Sequence, residues 1–512
     1  MGPIEIRGTG LSIDDVVAVA RHDATVTLAD SAREEMIRSA ALVDGFIAGD
    51  RPVYGVTTGF GSLADTAIPP ERTRELQVAL IRSHAAGMGR PVEREVVRAM
   101  LLLRARSLAM GRSGARPLLV DQQLALLNAG LTPVVPEFGS LGASGDLAPL
   151  AHCALVMIGE GHVTSDGDVA PSAEALASAG IEPVVLRAKE GLALINGTDG
   201  ILGMLVMAVT DLGLLVRLAD VTAAMSVEAL LGTDRAFAAD LQALRPQVGQ
   251  AVSAGNLTRL LAGSAIVASH REGDPRVQDA YSLRCTPQVH GAALDTLAHA
   301  RTVAERELDA AIDNPMIMPD GRVESCGNFH GAPLGFACDF LAIAVAELSA
   351  ICERRTDRLL DTTRSHGLPP FLSPDPGVNS GLMIAHYTQA AMATENKRLA
   401  APASVDSLPT SAMQEDHVSM AWSAARKLRR SIDNLRRVLA VELVCAARAI
   451  DLRAPLAPAA GTGAAVDAAR ERIAGPGPDR WLSPELSAAE ELLRSGAVLD
   501  AVESAIGPLD VV

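Results

Sequence analysis

Two stretches of this chain repeat apolar residues at helical spacing over several turns, and that periodicity restricts the fold more than any other feature. Phe340, Ala344, Leu348 and Ile351 form one stripe; Trp422, Ala425, Leu428, Ile432, Leu435 and Leu439 form a second. Each falls on one face of a helix. Stripes of this length are buried by packing against other helices, so the chain beyond residue 200 is expected to form a bundle. The available side chains agree: hydrophobic residues make up 48% of the 512 and aromatics only 3%. Ala, Leu and Val therefore fill the interior, which favours close-packed helices over sandwiches.

The first 200 residues alternate short elements with turns. A helix is expected over 12–20, a β-like segment at Thr25-Val26-Thr27-Leu28, and a second helix over 30–48. Gly and Pro gather between Tyr54 and Pro70 and again between Pro133 and Pro149, marking two loops of the kind that carry chemistry. The resulting reading is mainly α: an N-terminal α-rich domain over residues 1–200, then a helical bundle with a C-terminal helical segment over 201–512. The Ala/Pro/Gly-rich run from Ala454 to Pro478 reads as a flexible connection.

With 45 basic against 61 acidic residues the net charge is −16, so nucleic acid is not an expected partner. The apolar stretch from Ile201 to Leu215 is broken by Asp211 and followed by Arg217 and Asp220; it reads as a buried helix, and no membrane association is expected. The segment Met1-Gly2-Pro3-Ile4-Glu5-Ile6 lacks an export or lipidation signal, which points to the cytoplasm. Six cysteines stand singly, without metal-ligand or redox spacing, and no metal is expected. Asn196-Gly197-Thr198 and Asn256-Leu257-Thr258 match the glycosylation pattern and read as unused. Arg426, Lys427, Arg429, Arg430, Arg436 and Arg437 interleave with the second stripe as a solvated or ion-paired helix face.

The most informative segment runs from Gly139 to His152, reading Gly-Ser-Leu-Gly-Ala-Ser-Gly-Asp-Leu-Ala-Pro-Leu-Ala-His. A hydrolase nucleophile elbow requires glycine where Asp146 stands, and a phosphate loop requires a Lys followed by Ser or Thr. A tight turn capped by Asp146 accounts for the glycines and the aspartate alone. A third reading accounts for more. If the loop bends tightly, the Gly145 nitrogen attacks the Ala143 carbonyl carbon, and loss of water turns Ser144 into a dehydroalanine within a methylidene-imidazolone ring. Gly145 has no side chain to obstruct the bend, Ala143 leaves its carbonyl uncrowded, and Ser144 supplies the departing hydroxyl. Beside a helix N-terminus such an electrophile would sit in positive potential.

The run Ala143-Ser144-Gly145-Asp146-Leu147-Ala148-Pro149-Leu150-Ala151-His152 resembles the signature of the histidine/phenylalanine/tyrosine ammonia-lyase family. The resemblance continues through 54–61, Asn196-Gly197-Thr198, 278–284, Asp313-Asn314-Pro315, Gly327-Asn328-Phe329-His330 and 414–419, in order over most of the chain. It implies a long antiparallel bundle of the aspartase/fumarase-like type and a 4-methylidene-imidazol-5-one group formed from Ala143, Ser144 and Gly145, with no external cofactor. It also implies a homotetramer whose active sites draw on three chains. By the same resemblance Tyr54 is the base, which a phenol with a pKa of about 10 becomes only in favourable surroundings. Arg284 holds the substrate carboxylate with its fork of donors, Asn196 assists at the electrophile or the carboxylate, Gln278 and Tyr281 orient groups near the electrophile, and Phe329 closes the pocket.

Within the family the pair Ser83-His84 resembles the histidine-specific form, and Glu415, next to Gln414, can accept from an imidazole N–H where a phenyl ring offers nothing. A buried polar group without its partner costs about 1–3 kcal/mol, worth roughly one to two powers of ten in discrimination. The implied reaction is the non-oxidative deamination of L-histidine to trans-urocanate and ammonia, the first step of histidine degradation. Met413, Asp199 and Cys326 depart from the family's residues. An aromatic ammonia-lyase or aminomutase is the near rival, and a helical oligomer without activity is the remote one. Ser144→Ala should abolish turnover and leave the chain at its full unmodified mass, whereas the parent should be lighter by the water lost in ring formation. An intact-mass spectrum of each decides the point.

Overall fold

The computed structural model describes residues 2–47, 58–59, 66, 68–69, 72–165 and 167–512. Tyr54 lies outside the described residues, as does most of the Gly/Pro-rich segment around it. Helices dominate the rest, as the apolar periodicity demands.

At the N-terminus the helices Ile13–His22 and Asp30–Ile47 flank the strand Val26–Leu28, which pairs in parallel with Ile4–Ile6. Ser12 starts the first helix because its hydroxyl accepts from Asp15 N at 3.1 Å, while the Asp15 carboxylate accepts from Ser12 N at 3.0 Å. This reciprocal box satisfies two donors that a helix start leaves open. Sheet structure among the described residues is confined to short pairings such as Met88–Pro91 with Pro136–Phe138.

The chain forms two compact units. The first gathers Met1–Met207, Arg301–Cys338 and Pro402–Arg426; the second gathers Ala208–Ala300, Asp339–Ala401 and Lys427–Val512. Inside the first unit the helices Thr73–His84, Leu147–Met157 and Glu190–Ile195 pack against one another, which brings the ends carrying His84, the Ala143–Gly145 loop and Asn196 to one region. Helix Arg94–Ala109 packs against Ile13–His22 and Pro117–Asn128 and is buried from Val96 to its end. Its arginines are tolerated there because carbonyls receive them: Arg98 donates to the Val19 and Leu127 oxygens, Arg104 to those of Asn196 and Ile312.

In the second unit buried polar groups meet specific partners. The Glu442 carboxylate accepts from Thr222 Oγ1 at 2.8 Å, Ser226 Oγ at 2.9 Å and Arg355 Nη2 at 3.1 Å. Asp220 is met by His290 Nδ1 at 2.8 Å, Ser253 Oγ at 2.7 Å and Asn256 Nδ2 at 3.0 Å. Such networks fix which helix faces meet, because a slipped register would strand charge in an apolar interior.

The second apolar stripe, Trp422 to Leu439, is buried throughout. The first is only partly turned inward as expected: Leu348 and Ile351 are buried, but Phe340 is 47% exposed, and Leu341, Val345 and Cys352 are buried beside them. This helix is apolar on several sides, so spacing alone left its buried face ambiguous. The six basic residues are ion-paired, Arg429 to Asp211 at 2.7 Å, Arg436 to Asp433 at 2.7 Å and Arg437 to Glu490 at 3.3 Å, with Arg426 on Glu137, Lys427 on Asp339 and Arg430 on Glu395. The stretches Glu190–Ala229 and Ala332–Leu360 reach the length and apolarity of a membrane span, yet most of each apolar window is buried within the protein.

One expectation is corrected. The run from Ala454 to Pro478 is not simply a flexible connection, because helix Ala460–Arg470 lies inside it and packs against Ala497–Ile506. Its small buried residues Gly461, Thr462, Ala465 and Ala469 permit that close packing, and small-residue composition alone does not distinguish a tight helix contact from a linker.

Candidate active site

The 139–146 loop is held by hydrogen bonds at nearly every turn. Leu141 O accepts from Met420 N at 2.8 Å, and Gly142 O accepts from Gly331 N at 3.1 Å and Ser419 Oγ at 2.7 Å. Ser140 Oγ accepts from Gly142 N at 3.1 Å and donates to Asp146 Oδ1 at 2.9 Å. Gly142 and Gly145 take φ of 64° and 70°, the left-handed region where a side chain is strained.

Gly145 is required for a second reason. A Cβ there would lie 2.1 Å from Gly197 O, and a Cβ on Gly197 would lie 2.2 Å from both Arg104 Nη1 and Asp199 Oδ2. Two glycine backbones therefore meet face to face, closed by Asp146 N donating to Gly197 O at 2.6 Å. Asp146 stands at the N-cap of helix Leu147–Met157 but makes no side-chain cap there. Its Oδ2 instead accepts from Gly200 N and Ile201 N, both at 2.9 Å, at the start of helix Asp199–Ala229. The cap expected for the aspartate's own helix thus serves another one, lashing the loop to it. Burial pushes the Asp146 carboxyl up to about 7, against the pull of those donors.

The loop opens on a cavity of about 970 Å³ in the first unit, lined by Ala143, Ser144, Asn196, Ser83, His84, Phe329, Gln414 and Glu415. All eight were expected site residues. Gly145 lies in the loop just behind, and Gln278, Tyr281 and Arg284 belong to the second unit and are no part of this lining. Arg284 places its guanidinium 4.6 Å from the Tyr281 ring centre and donates to Asp279 O at 3.0 Å, while Tyr281 is 71% exposed.

Polar groups in the cavity are fixed in orientation. Glu415 and Thr410 exchange backbone hydrogen bonds at 2.9 and 3.3 Å, and Thr410 Oγ1 donates to Glu415 Oε2 at 2.7 Å. That leaves Oε1 to accept from Ser144 Oγ at 3.1 Å. His84 Nδ1 stands 2.9 Å from Leu80 O, a group that only accepts, so in the neutral ring the proton sits on Nδ1 and Nε2 is an acceptor. Burial lowers the His84 pKa from its ordinary 6.5, opposed by the Leu80 hydrogen bond and the Glu415 charge. The ring therefore stays neutral at pH 7.

Residues given no role from sequence also wall the cavity. His330 and His417 stack with ring centres 5.8 Å apart and planes 4° from parallel; they belong to the 327–330 and 414–419 motifs, which was signal enough to assign them. Lys189 and Asp313, 2.6 Å apart, stand behind Asn196. For Lys189 the sequence offers one sign, that it is among only three lysines in a chain with 45 Lys and Arg.

The profile of the aromatic amino acid lyase family matches residues 11–471. Curated relatives include the histidine ammonia-lyases of Streptomyces griseus, 59% identical over 99% of this chain and 100% of the relative, and of Gloeobacter violaceus, 51% identical over 98% of each. Among solved structures, histidine ammonia-lyase from Trypanosoma cruzi superposes with a TM-score of 0.91 at 40% identity, covering 98% of this chain and 96% of that one. Tyrosine aminomutase from Streptomyces globisporus superposes at 0.94 with 36% identity, covering 99% and 100%.

Gly145→Ala should part the Gly145–Gly197 contact, since its methyl has no room against a backbone carbonyl. The expected outcome is a folded chain at full unmodified mass; a mass as light as the parent's would show that the contact is dispensable for ring closure.

Proposed function

This chain belongs to the aromatic amino acid lyase family, and we propose that it removes ammonia from L-histidine to give trans-urocanate. The observation that carries the choice of substrate is the pairing of a neutral His84 and the Glu415 carboxylate in the cavity that Ser144 borders. Both line the cavity and can accept a hydrogen bond, which an imidazole N–H supplies and a phenyl ring does not. The names of the relatives point the same way, whereas the fold alone does not separate this reaction from that of the aminomutases.

The residues present fit a methylidene-imidazolone group formed from Ala143, Ser144 and Gly145, because the left-handed Gly145 lies against Gly197 in a space that a Cβ would fill. When formed, that group supplies an electron-poor alkene to the substrate. Tyr54 takes the β-proton, Arg284 holds the carboxylate by a two-pronged contact, and Phe329 covers the ring end with Ser83 and Gln414 beside it. Gln278 and Tyr281 orient the reacting groups. The exposed Tyr281 and the fully exposed Val277 support a homotetramer in which this surface completes the cavity of another chain. The reading places the protein in the cytoplasm, acting in histidine catabolism.

Incubation with histidine, phenylalanine and tyrosine, followed spectrophotometrically, tests the assignment. Urocanate should accumulate from histidine far faster than cinnamate or coumarate from the others; the reverse order overturns it. Glu415→Ala should lower kcat/KM for histidine by roughly 10- to 100-fold, as loss of a hydrogen-bond partner that the bound ring covers does, with melting little changed. An unchanged rate would return Glu415 to a structural role.

His84 adds a pH dependence with a definite sign. Burial holds its pKa below 6.5, so the acceptor form prevails above that pH and is lost only as pH falls through the lowered value. kcat/KM should therefore show an acid limb to which His84 and the substrate's own imidazole both contribute, and which becomes shallower in His84→Gln, which keeps an acceptor but does not titrate. A limb unaltered in the variant assigns it to another group.

A further inference from the structure

Asn196 lines the cavity and is only 3% exposed, and its neighbours dictate how its amide is turned. Nδ2 lies 3.0 Å from Asn314 O and 3.3 Å from Asp313 Oδ1. A carbonyl and a carboxylate both accept, so the amide nitrogen faces them and Oδ1 faces away. Oδ1 meets no donor among the described residues. A bare buried acceptor costs about 1–3 kcal/mol, and its survival in a native chain calls for a partner that arrives later.

Behind this amide stands an ion pair sealed from water. Lys189 Nζ and Asp313 Oδ2 are 2.6 Å apart, with side-chain exposures of 0% and 1%. Asp313 clamps both ends of helix Glu190–Ile195, since Lys189 is the residue before it, at φ 70°, and Asn196 is the residue after it. Asp313 Oδ1 also accepts from Asn314 N at 2.7 Å. A buried pair of this kind is often matched or bettered in stability by apolar residues of the same volume. Its contribution here is location: it fixes the amide next to Gly197, whose carbonyl closes the Ala143–Gly145 loop.

We propose that the Lys189–Asp313 ion pair is a positioning device that holds the Asn196 carboxamide with Oδ1 ready to accept an N–H from the substrate's ammonium group beside Ser144. The inference rests on the deamination of histidine set out above and adds two positioning residues and an ammonium acceptor to it.

The test measures binding without turnover. Full-length Ser144→Ala protein is titrated calorimetrically with L-histidine and with 3-(imidazol-4-yl)propanoate, which has the same ring and carboxylate but no ammonium. Adding Lys189→Met together with Asp313→Asn removes both charges at similar volume. L-histidine should then bind about tenfold more weakly or worse, as for a lost buried hydrogen bond, while the propanoate binds within about twofold of before. Asn196→Ala should show the same selective loss, and combining it with the double variant should weaken histidine no further, because contacts acting through one group are not additive. Equal weakening of both ligands, no weakening, or additive losses overturn the proposal. Should the double variant fail to fold, Asp313→Asn alone faces the same ligand pair and the same criteria. If Ser144→Ala protein binds phenylalanine or tyrosine and not L-histidine, the substrate assignment itself falls, and this inference with it, a result unlike any of those above.

Discussion

The contact between Gly145 and Gly197 is the constraint on which the rest of the site depends. Backbone meets backbone there with no room for a methyl group on either side, and Asp146 N closes the junction on Gly197 O. Everything nearby is arranged to hold those two glycines. Asp146 ties the loop to the start of helix Asp199–Ala229 through two amide donors, while Leu141 and Gly142 are gripped by residues 419–420 and 331. The helices Thr73–His84, Leu147–Met157 and Glu190–Ile195 pack together around the same point. A loop so restrained has lost most of its conformational entropy before any chemistry begins.

Electrostatics in the first unit follow from that crowding. Asp146, Lys189, Asp199 and Asp313 are all nearly inaccessible to water, a costly arrangement unless each charge is met. Arg104 answers by lying 3.3 Å from Asp199 while donating to the carbonyls of Asn196 and Ile312. Asp146 answers differently, with its pKa raised to about 7 by burial. Its folded pKa exceeds the ordinary 3.8, so the stability it contributes is complete below about pH 4 and declines as pH rises through about 7. The site accepts this cost in exchange for a rigid loop.

At the cavity wall, neutrality matters as much as charge. The Leu80 carbonyl accepts a hydrogen bond from Nδ1–H of His84, which makes Nε2 the ring's acceptor; Thr410 occupies one oxygen of Glu415 and leaves the other beside Ser144. The same device recurs at Asn196, whose amide nitrogen is engaged and whose oxygen is not. Each group is oriented by the protein, Glu415 through both of its oxygens, and His84 and Asn196 through one position that leaves the other for a ligand.

Much of this was legible in the chain itself. The helical periodicity announced a mainly α protein, the pattern over 12–20 announced its first helix, and the order Ala143-Ser144-Gly145-Asp146 singled out a loop that Gly145 alone could close. These features are local: they depend on residues a few positions apart, whose spacing the backbone geometry of a helix or turn fixes in advance. What needed the folded chain is long-range. Which face of the helix carrying Phe340 turns inward, which helix Asp146 caps, and how Lys189 and Asp313, 124 positions apart, come to orient Asn196 are settled by packing between segments remote in sequence. No spacing encodes those choices, because burial and hydrogen-bond direction are properties of neighbours in space, and the neighbours are chosen only when the core closes.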